Sequence, residues 1–153
     1  MLDSFDLSLL NLSQRDDSLT ADEIAKRVAL SPSAIARRLR RLRADGWIAR
    51  TISLLSPRLT ENRLRALVLI ELAEHADLKG KADLEARLSA ADEVQFCYET
   101  TGDCDLLVMV DCMDMSSFNA FCDLVLVAQP TVRRYETRFI KREVKFSPFV
   151  RLG

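Results

Sequence analysis

Along the first 50 residues, apolar positions recur at helical spacing and are separated by helix start and stop signals. Leu2 and Leu7 flank Asp3 as a hydrophobic staple around an N-cap. The helix that follows, to about Ser13, presents Phe5, Leu9 and Leu12 on one side. "RDDS" ends it. Thr20-Ala-Asp-Glu23 is a capping box, in which the two side chains satisfy each other's free backbone N–H groups. A second, short helix is therefore predicted from Ala21 to near Ala29, with Ile24, Ala25 and Val28 inward. Ser31 is a third N-cap, and Pro32 occupies the first helical position, where its missing N–H costs nothing. That helix should run to Asp45 and stop at Gly46. The short gap between the second and third helices is that of a helix-turn-helix. "WIARTISLL" then reads as one or two short strands, which would form a wing.

The pattern changes after a polar, proline-containing linker over residues 55–65. "ALVLIELA" (66–73) is apolar on both sides and predicts a buried strand. "LKGKADLEARLSAA" predicts a helix, weakened by Gly80. Strands follow over 93–101 and 106–112, joined by the turn "GDCD". "MSSFNAFCDLVLVA" predicts a helix with Phe118, Phe121 and Val125 on one face, and "TVRRYETRFIKREVKF" a long final strand. The order β-α-β-β-α-β is the ferredoxin-like plan. The expected fold is α+β. A winged helix-turn-helix occupies residues 1–54, and a ferredoxin-like domain occupies residues 66–153.

Charge sharpens this division. Residues 1–63 hold eleven Lys and Arg against eight Asp and Glu, a balance of +3, whereas the remainder holds eleven against fifteen. An anion-binding part is thus joined to a part with another task. No apolar run reaches membrane-span length, and "MLDSFDLSLL" lacks the basic start of a signal peptide. Cys97, Cys104, Cys112 and Cys122 have no C-x-x-C spacing. They read as reduced thiols of a cytoplasmic protein, acting as small apolar side chains. No metal or cofactor pattern is present in the sequence.

Most of the positive charge lies on the third helix. Arg37, Arg38, Arg40, Arg41 and Arg43 fall within seven positions with no acid among them. On a helical wheel Ile35, Leu39 and Leu42 form the core face, opposite Ser33, Arg37, Arg40 and Arg41. Arg38 and Arg43 lie at the margins, where their stems can cover apolar surface. Such a run is often only a solvated helix face. Here no acids are spaced to pair along the helix, and the run lies on the third helix of a capped tri-helical unit. A helix that is short and polar at its start, then arginine-rich, fits the major groove of double-stranded DNA. The expected DNA-binding set is Ser31, Ser33, Ala34, Arg37, Arg38, Arg40 and Arg41. Ser33, Ala34 and Arg37 are expected near bases, and Arg40 and Arg41 on phosphates. Arg38 is open to either role or to packing alone.

Taken together, "LTADEIAKRVALSPSAIARRLRRLRADGWI", "TTGDCDLLVMV" and "QPTVRRYETRFIKREVK" resemble the Lrp/AsnC family of transcription regulators, also called feast/famine regulators. The resemblance covers nearly the whole chain. It implies a DNA-binding domain joined to a dimerising ferredoxin-like domain, with dimers assembling into tetramers or octamers. It also implies an amino-acid effector held by the loop Thr101, Gly102, Asp103 and Asp105, joined by Thr137 of the final strand. The operator would be pseudo-palindromic. Three positions depart from the family's usual residues. Ser18 stands for arginine, Thr131 for glycine, and Cys104 for a residue often aromatic.

A rival reading keeps the DNA-binding domain but makes the protein a nucleoid-type DNA organiser that ignores small molecules. Gly-Asp between strands is also ordinary hairpin chemistry, so both roles stay open for Asp103 and Asp105. An enzyme has less to rest on. The lone histidine, His75, lies in the polar stretch "AEHAD" beside no metal-ligand pattern, and no catalytic residue is expected.

Overall fold

The structure is a computed structural model that describes residues 1–73 and 78–153. His75 lies outside the described residues. The chain divides into two compact units, one of residues 1–54 with 144–153, the other of residues 55–143.

In the first unit, α1 spans Ser4–Ser13, α2 spans Ala21–Ala25 and α3 spans Pro32–Ala44. Each starts on a side-chain cap, Asp3, Thr20 and Ser31 respectively. Helix α2 is shorter than its apolar spacing suggested, and after Ala25 the chain turns toward the cap of α3. Helix α3 ends at Ala44 with Asp45 as its C-cap, and Gly46 follows with φ 76°. That left-handed conformation suits glycine and lets the chain leave the helix. Leu9, Ile24, Ile35 and Leu42 meet in a core from which solvent is almost excluded.

Two expectations change here. The segment 47–56 carries no strand, so the expected wing is not paired within one chain. Its apolar side chains Ile52, Leu54 and Leu55 remain exposed, with no neighbouring strand to complete a ladder. The last ten residues, assigned from sequence to the second domain, lie instead against α1 of the first unit. Asn11 binds both backbone groups of Leu152, donating to its C=O at 2.8 Å and accepting its N–H at 3.0 Å. Gln14 treats Val150 the same way, at 3.0 and 2.9 Å. The Arg15 guanidinium lies 4.3 Å from the centre of the Phe149 ring.

The second unit carries β1 (Leu64–Leu72), α4 (Leu78–Ala90), β2 (Val94–Glu99), β3 (Leu106–Cys112), α5 (Met115–Phe121) and β4 (Val132–Phe139). A π-helical segment, Cys122–Val127, extends α5. The sheet order is β2-β3-β1-β4, and every neighbouring pair is antiparallel. This is the ferredoxin-like arrangement the element order predicted. Ala66, Val68 and Ile70 alternate along β1 toward the helix layer, where they meet Leu84, Leu88, Phe118 and Phe121. Leu67 and Leu69 lie on the opposite face and are only half-buried. Strand β4 is shorter than expected because its partner runs out. Ile140 donates to the Arg65 carbonyl at 2.8 Å, and β1 begins at Leu64. Thr131, at the usual glycine position, is buried. No described non-glycine residue has a positive φ, so this turn does not require glycine.

Candidate functional site

The outer face of α3 is built by its cap and its apolar stripe. The Ser31 hydroxyl accepts the Ala34 N–H at 3.3 Å and lies 3.2 Å from the Ser33 hydroxyl. Burial of Ile35, Leu39 and Leu42 fixes the roll of the helix, so that Ser33, Arg37, Arg40 and Arg41 are exposed. Ala34 and Arg38 are half-buried at the margin.

The arginines differ in their partners. Arg38 Nη1 donates at 2.7 Å both to Asp3 Oδ2 and to Asp6 Oδ1. Arg41 Nη2 donates at 2.6 Å to Asp6 Oδ2. Arg43 Nη2 reaches both carboxylate oxygens of Asp17, at 3.0 and 3.1 Å. Thr51 donates to the same carboxylate at 3.0 Å. Arg37 and Arg40 have no acidic partner among the described residues. Asp6 is 1% exposed. Burial pushes its carboxyl upward, but hydrogen bonds from Arg38 and the Asp3 N–H, with the Arg41 charge, hold it below the ordinary range. Asp3 is lowered chiefly by the Asp6 N–H and then by Arg38. Arg38 itself is raised, first by Asp3 and then by Asp6. Asp6 escaped the sequence reading. Its signal was an acid at the fourth position of a capping box that usually holds Glu or Gln.

In the second unit the β2–β3 turn brings Thr101, Gly102, Asp103 and Asp105 together at one end of the sheet. Gly102 has φ 114°, and nothing lies within 4 Å of where a Cβ would stand. Asp105 is committed to the fold. Its Oδ2 accepts the Leu72 N–H at 2.8 Å, and its own N–H reaches the Ile70 carbonyl at 2.9 Å. The Thr100 hydroxyl closes the turn on the Cys104 carbonyl at 2.8 Å. Asp103 is exposed and has no hydrogen-bond partner among the described residues.

Asp103 and Cys104 line a hollow of about 570 Å³ with Leu69, Glu71, Arg134, Glu136 and Arg138. Glu71 pairs with Arg134 at 2.6 Å, and that hydrogen bond draws its carboxyl below the ordinary range. Arg138 lies 3.2 Å from Glu136. The hollow thus offers both signs of charge, as a zwitterion requires. Thr137 is not gathered with this set. It pairs in register with buried Val68, on the helix side of the sheet, whereas Glu136 pairs with Leu69 on the other. The charged row of β4 was missed in the sequence, although Arg134, Glu136 and Arg138 alternate there at the period of one strand face.

Comparison with known proteins agrees with both halves. Residues 2–49 match the winged helix-turn-helix DNA-binding family, and residues 65–149 match the Lrp/AsnC ligand binding domain. A leucine-responsive regulatory protein of Salmonella typhimurium is 33% identical over 150 residues, covering 95% of this chain and 88% of its own. A transcriptional regulator of Neisseria meningitidis, solved as its L-Met complex, superposes with a TM-score of 0.87 at 29% identity. That match covers 98% of this chain and 96% of the other. An AsnC family transcriptional regulator from Agrobacterium tumefaciens gives a TM-score of 0.86 at 26% identity, covering 97% and 96%.

Proposed function

The chain belongs to the Lrp/AsnC family, and from that premise we propose that it is a sequence-specific DNA-binding transcriptional regulator responsive to an amino acid or related small metabolite. The observation that carries the DNA half is the exposed row Ser33, Arg37 and Arg40, whose arginines lack acidic partners among the described residues. Ser31, Ser33 and Ala34 form the first turn of α3 and its cap, with Arg37 one turn on, and these enter the major groove. Arginine donates two hydrogen bonds to a guanine edge, the role assigned to Arg37, or neutralises a phosphate, the role assigned to Arg40.

One such unit reads only a few base pairs. The protein acts as a symmetric dimer on a pseudo-palindromic operator, with half-sites one helical turn or a multiple apart. Dimers assemble further into tetramers or octamers. Exposed apolar side chains at Ile52, Leu54, Leu55 and Leu59 supply surface that association can cover. No described helix is long and apolar enough to cross a membrane, and we assign the protein to the cytoplasm, where its DNA target lies.

The effector half rests on the turn and hollow of the second unit. The Neisseria relative was solved with L-Met, and for this chain the proposed ligand is likewise a free amino acid, held at a contact between dimers. Its ammonium donates to Asp103 and Glu136, and its carboxylate accepts from Arg134 or Arg138 and from the N–H groups of the turn at Gly102. A thermal-shift screen with the protein amino acids tests this, because a ligand that binds only the folded state raises its stability. One amino acid should raise the melting temperature and change both oligomer size and DNA affinity. Duplex binding with no response to any amino acid would favour the DNA-organising reading instead. Sedimentation as a monomer at micromolar concentration would refute the dimer.

A further inference from the structure

Three of the five arginines on α3 are occupied by acids from outside that helix. Asp3 and Asp6 of the α1 start hold Arg38, Asp6 also holds Arg41, and Asp17 holds Arg43. The side chains of Arg38 and Asp6 are only 22% and 1% exposed. A carboxylate buried to that degree is stable only while its cations and hydrogen bonds stay in place. Moving Arg38 and Arg41 to DNA phosphates would strip the buried Asp6 carboxylate of both its cations and leave it only the Asp3 N–H. Arg38 is fixed further by Phe5, whose ring centre lies 5.7 Å from its guanidinium. Asp6 is itself locked in place. Its Oδ2 accepts the Asp3 N–H at 3.2 Å, and its own N–H donates to Asp3 Oδ1 at 2.8 Å.

We infer that Asp3, Asp6 and Asp17 are positioning residues that withhold Arg38, Arg41 and Arg43 from DNA, leaving Arg37 and Arg40 as the arginines of α3 that contact it. This departs from the sequence expectation that set Arg41 beside Arg40 on phosphates. It rests on the DNA-binding reading above and adds how selectivity is obtained. An uninterrupted arginine row would bind any duplex through its phosphates, since that attraction carries no sequence information. Neutralising three of the five lowers this indiscriminate attraction and keeps the groove-facing pair. The Asp3 and Asp6 bonds also tie the start of α1 to α3, which adds to the core packing that fixes the roll of the helix.

The test uses the full chain on a scrambled duplex and on a duplex obtained by selection from a randomised pool, with affinity measured over a range of salt concentrations. Each phosphate contact contributes about one unit to the salt slope. Arg40→Gln should flatten the slope by about one, and Arg41→Gln should leave it unchanged. Asp6→Asn should steepen it by about one, as Arg41 loses its acid and becomes free to reach phosphates while Arg38 stays with Asp3. It should also lower the ratio of selected to scrambled affinity. Asp22→Asn changes net charge equally, but Asp22 has no arginine partner among the described residues, so its effect on the slope should be smaller.

Arg41→Gln flattening the slope as much as Arg40→Gln would overturn the inference. So would Asp6→Asn moving it no further than Asp22→Asn. Circular dichroism reports whether Asp6→Asn folds, and if it does not, the comparison of Arg40→Gln with Arg41→Gln decides alone. Wild-type protein that binds neither duplex would overturn the DNA-binding reading and this inference with it, an outcome distinct from wild-type binding with the wrong order of slopes.

Discussion

Asp105 Oδ2 accepts the backbone N–H of Leu72 at 2.8 Å, just beyond the Ile70–Leu106 pair that ends the β1–β3 ladder. The two aspartates of the turn therefore divide their work. Asp105 satisfies a strand-end N–H that the β3 ladder does not reach, while Asp103 faces the hollow without a partner among the described residues. Asp105→Ala is expected to cost about 1 kcal/mol of stability, the net worth of a hydrogen bond in a partly exposed place. Asp103→Ala should leave stability within about 0.5 kcal/mol of wild type and weaken binding of whichever amino acid the thermal-shift screen finds. Urea denaturation and calorimetry measure the two effects separately. Equal stability losses with undiminished ligand binding would make both residues turn formers only.

The tail gives a second expectation. Asn11 makes two hydrogen bonds to Leu152, one in each direction. Asn11→Ala should cost about 1–2 kcal/mol in the full chain. In a chain truncated after Lys145 the same substitution should cost almost nothing, because its partner is gone. The difference is the coupling energy of a double-mutant cycle. An undiminished cost of Asn11→Ala in the truncated chain would show that Asn11 stabilises α1 by some other contact.

What the sequence revealed was local. Caps at Asp3, Thr20 and Ser31 and a glycine at position 46 mark helix ends within a few residues, so α1 and α3 are legible almost to their limits. Short continuous apolar runs likewise give β1 and β3, and a longer run of helix formers gives α4. The outward set on α3 follows from 100° per residue and needs no tertiary information. What stayed hidden depends on partners far along the chain. Asp6 meets Arg38 32 residues away, and nothing near either residue encodes the pairing. Leu152 returns to Asn11 across 141 residues. The final strand looks long because "RFIKREVKF" keeps alternating, yet a strand lasts only as far as its neighbour does. Thr137 illustrates the same limit, since its face is fixed by register with Val68 rather than by nearness in sequence.

Acid should loosen the first unit through Asp3 and Asp6. Both carboxyls lie below the ordinary aspartate value in the folded chain, Asp3 chiefly through the Asp6 N–H, Asp6 through Arg38 against its own burial. A group whose folded value is depressed contributes stability that is fully present above its unfolded value. That contribution is lost as pH falls through the folded value. The loss should begin at about pH 4 and continue below it. Asp16 and Glu23, lowered by Ser18 and Thr20, contribute in the same direction. Asp3→Asn keeps a competent cap but no longer titrates. Its stability should therefore fall less steeply than wild type between about pH 5 and about pH 3. Parallel pH profiles in urea melts would mean that the Asp3 pair contributes nothing to the acid limb.

Arg37 and Arg40 should separate recognition from attraction. Both are exposed on α3, Arg37 one turn after Ser33 and Arg40 nearly one turn further on. A helix entering the major groove meets base edges with its first turns and the backbone with later ones. Arg37 can offer two donors to one guanine, and losing them removes an interaction that a mismatched base never made. Arg37→Ala is thus expected to cost about 1–3 kcal/mol on the selected duplex and far less on the scrambled one. Arg40→Ala should weaken both duplexes by the same factor and flatten the salt slope by about one. The contrast is read from four affinities at matched salt, since values at different ionic strengths are not comparable. Selection from a randomised pool with the Arg37→Ala protein gives the sharper outcome. One position in each half-site should lose its preference while the spacing between half-sites stays fixed, because spacing is set by the dimer and preference by the side chain. A pool that returns the wild-type half-site unchanged would remove Arg37 from base recognition.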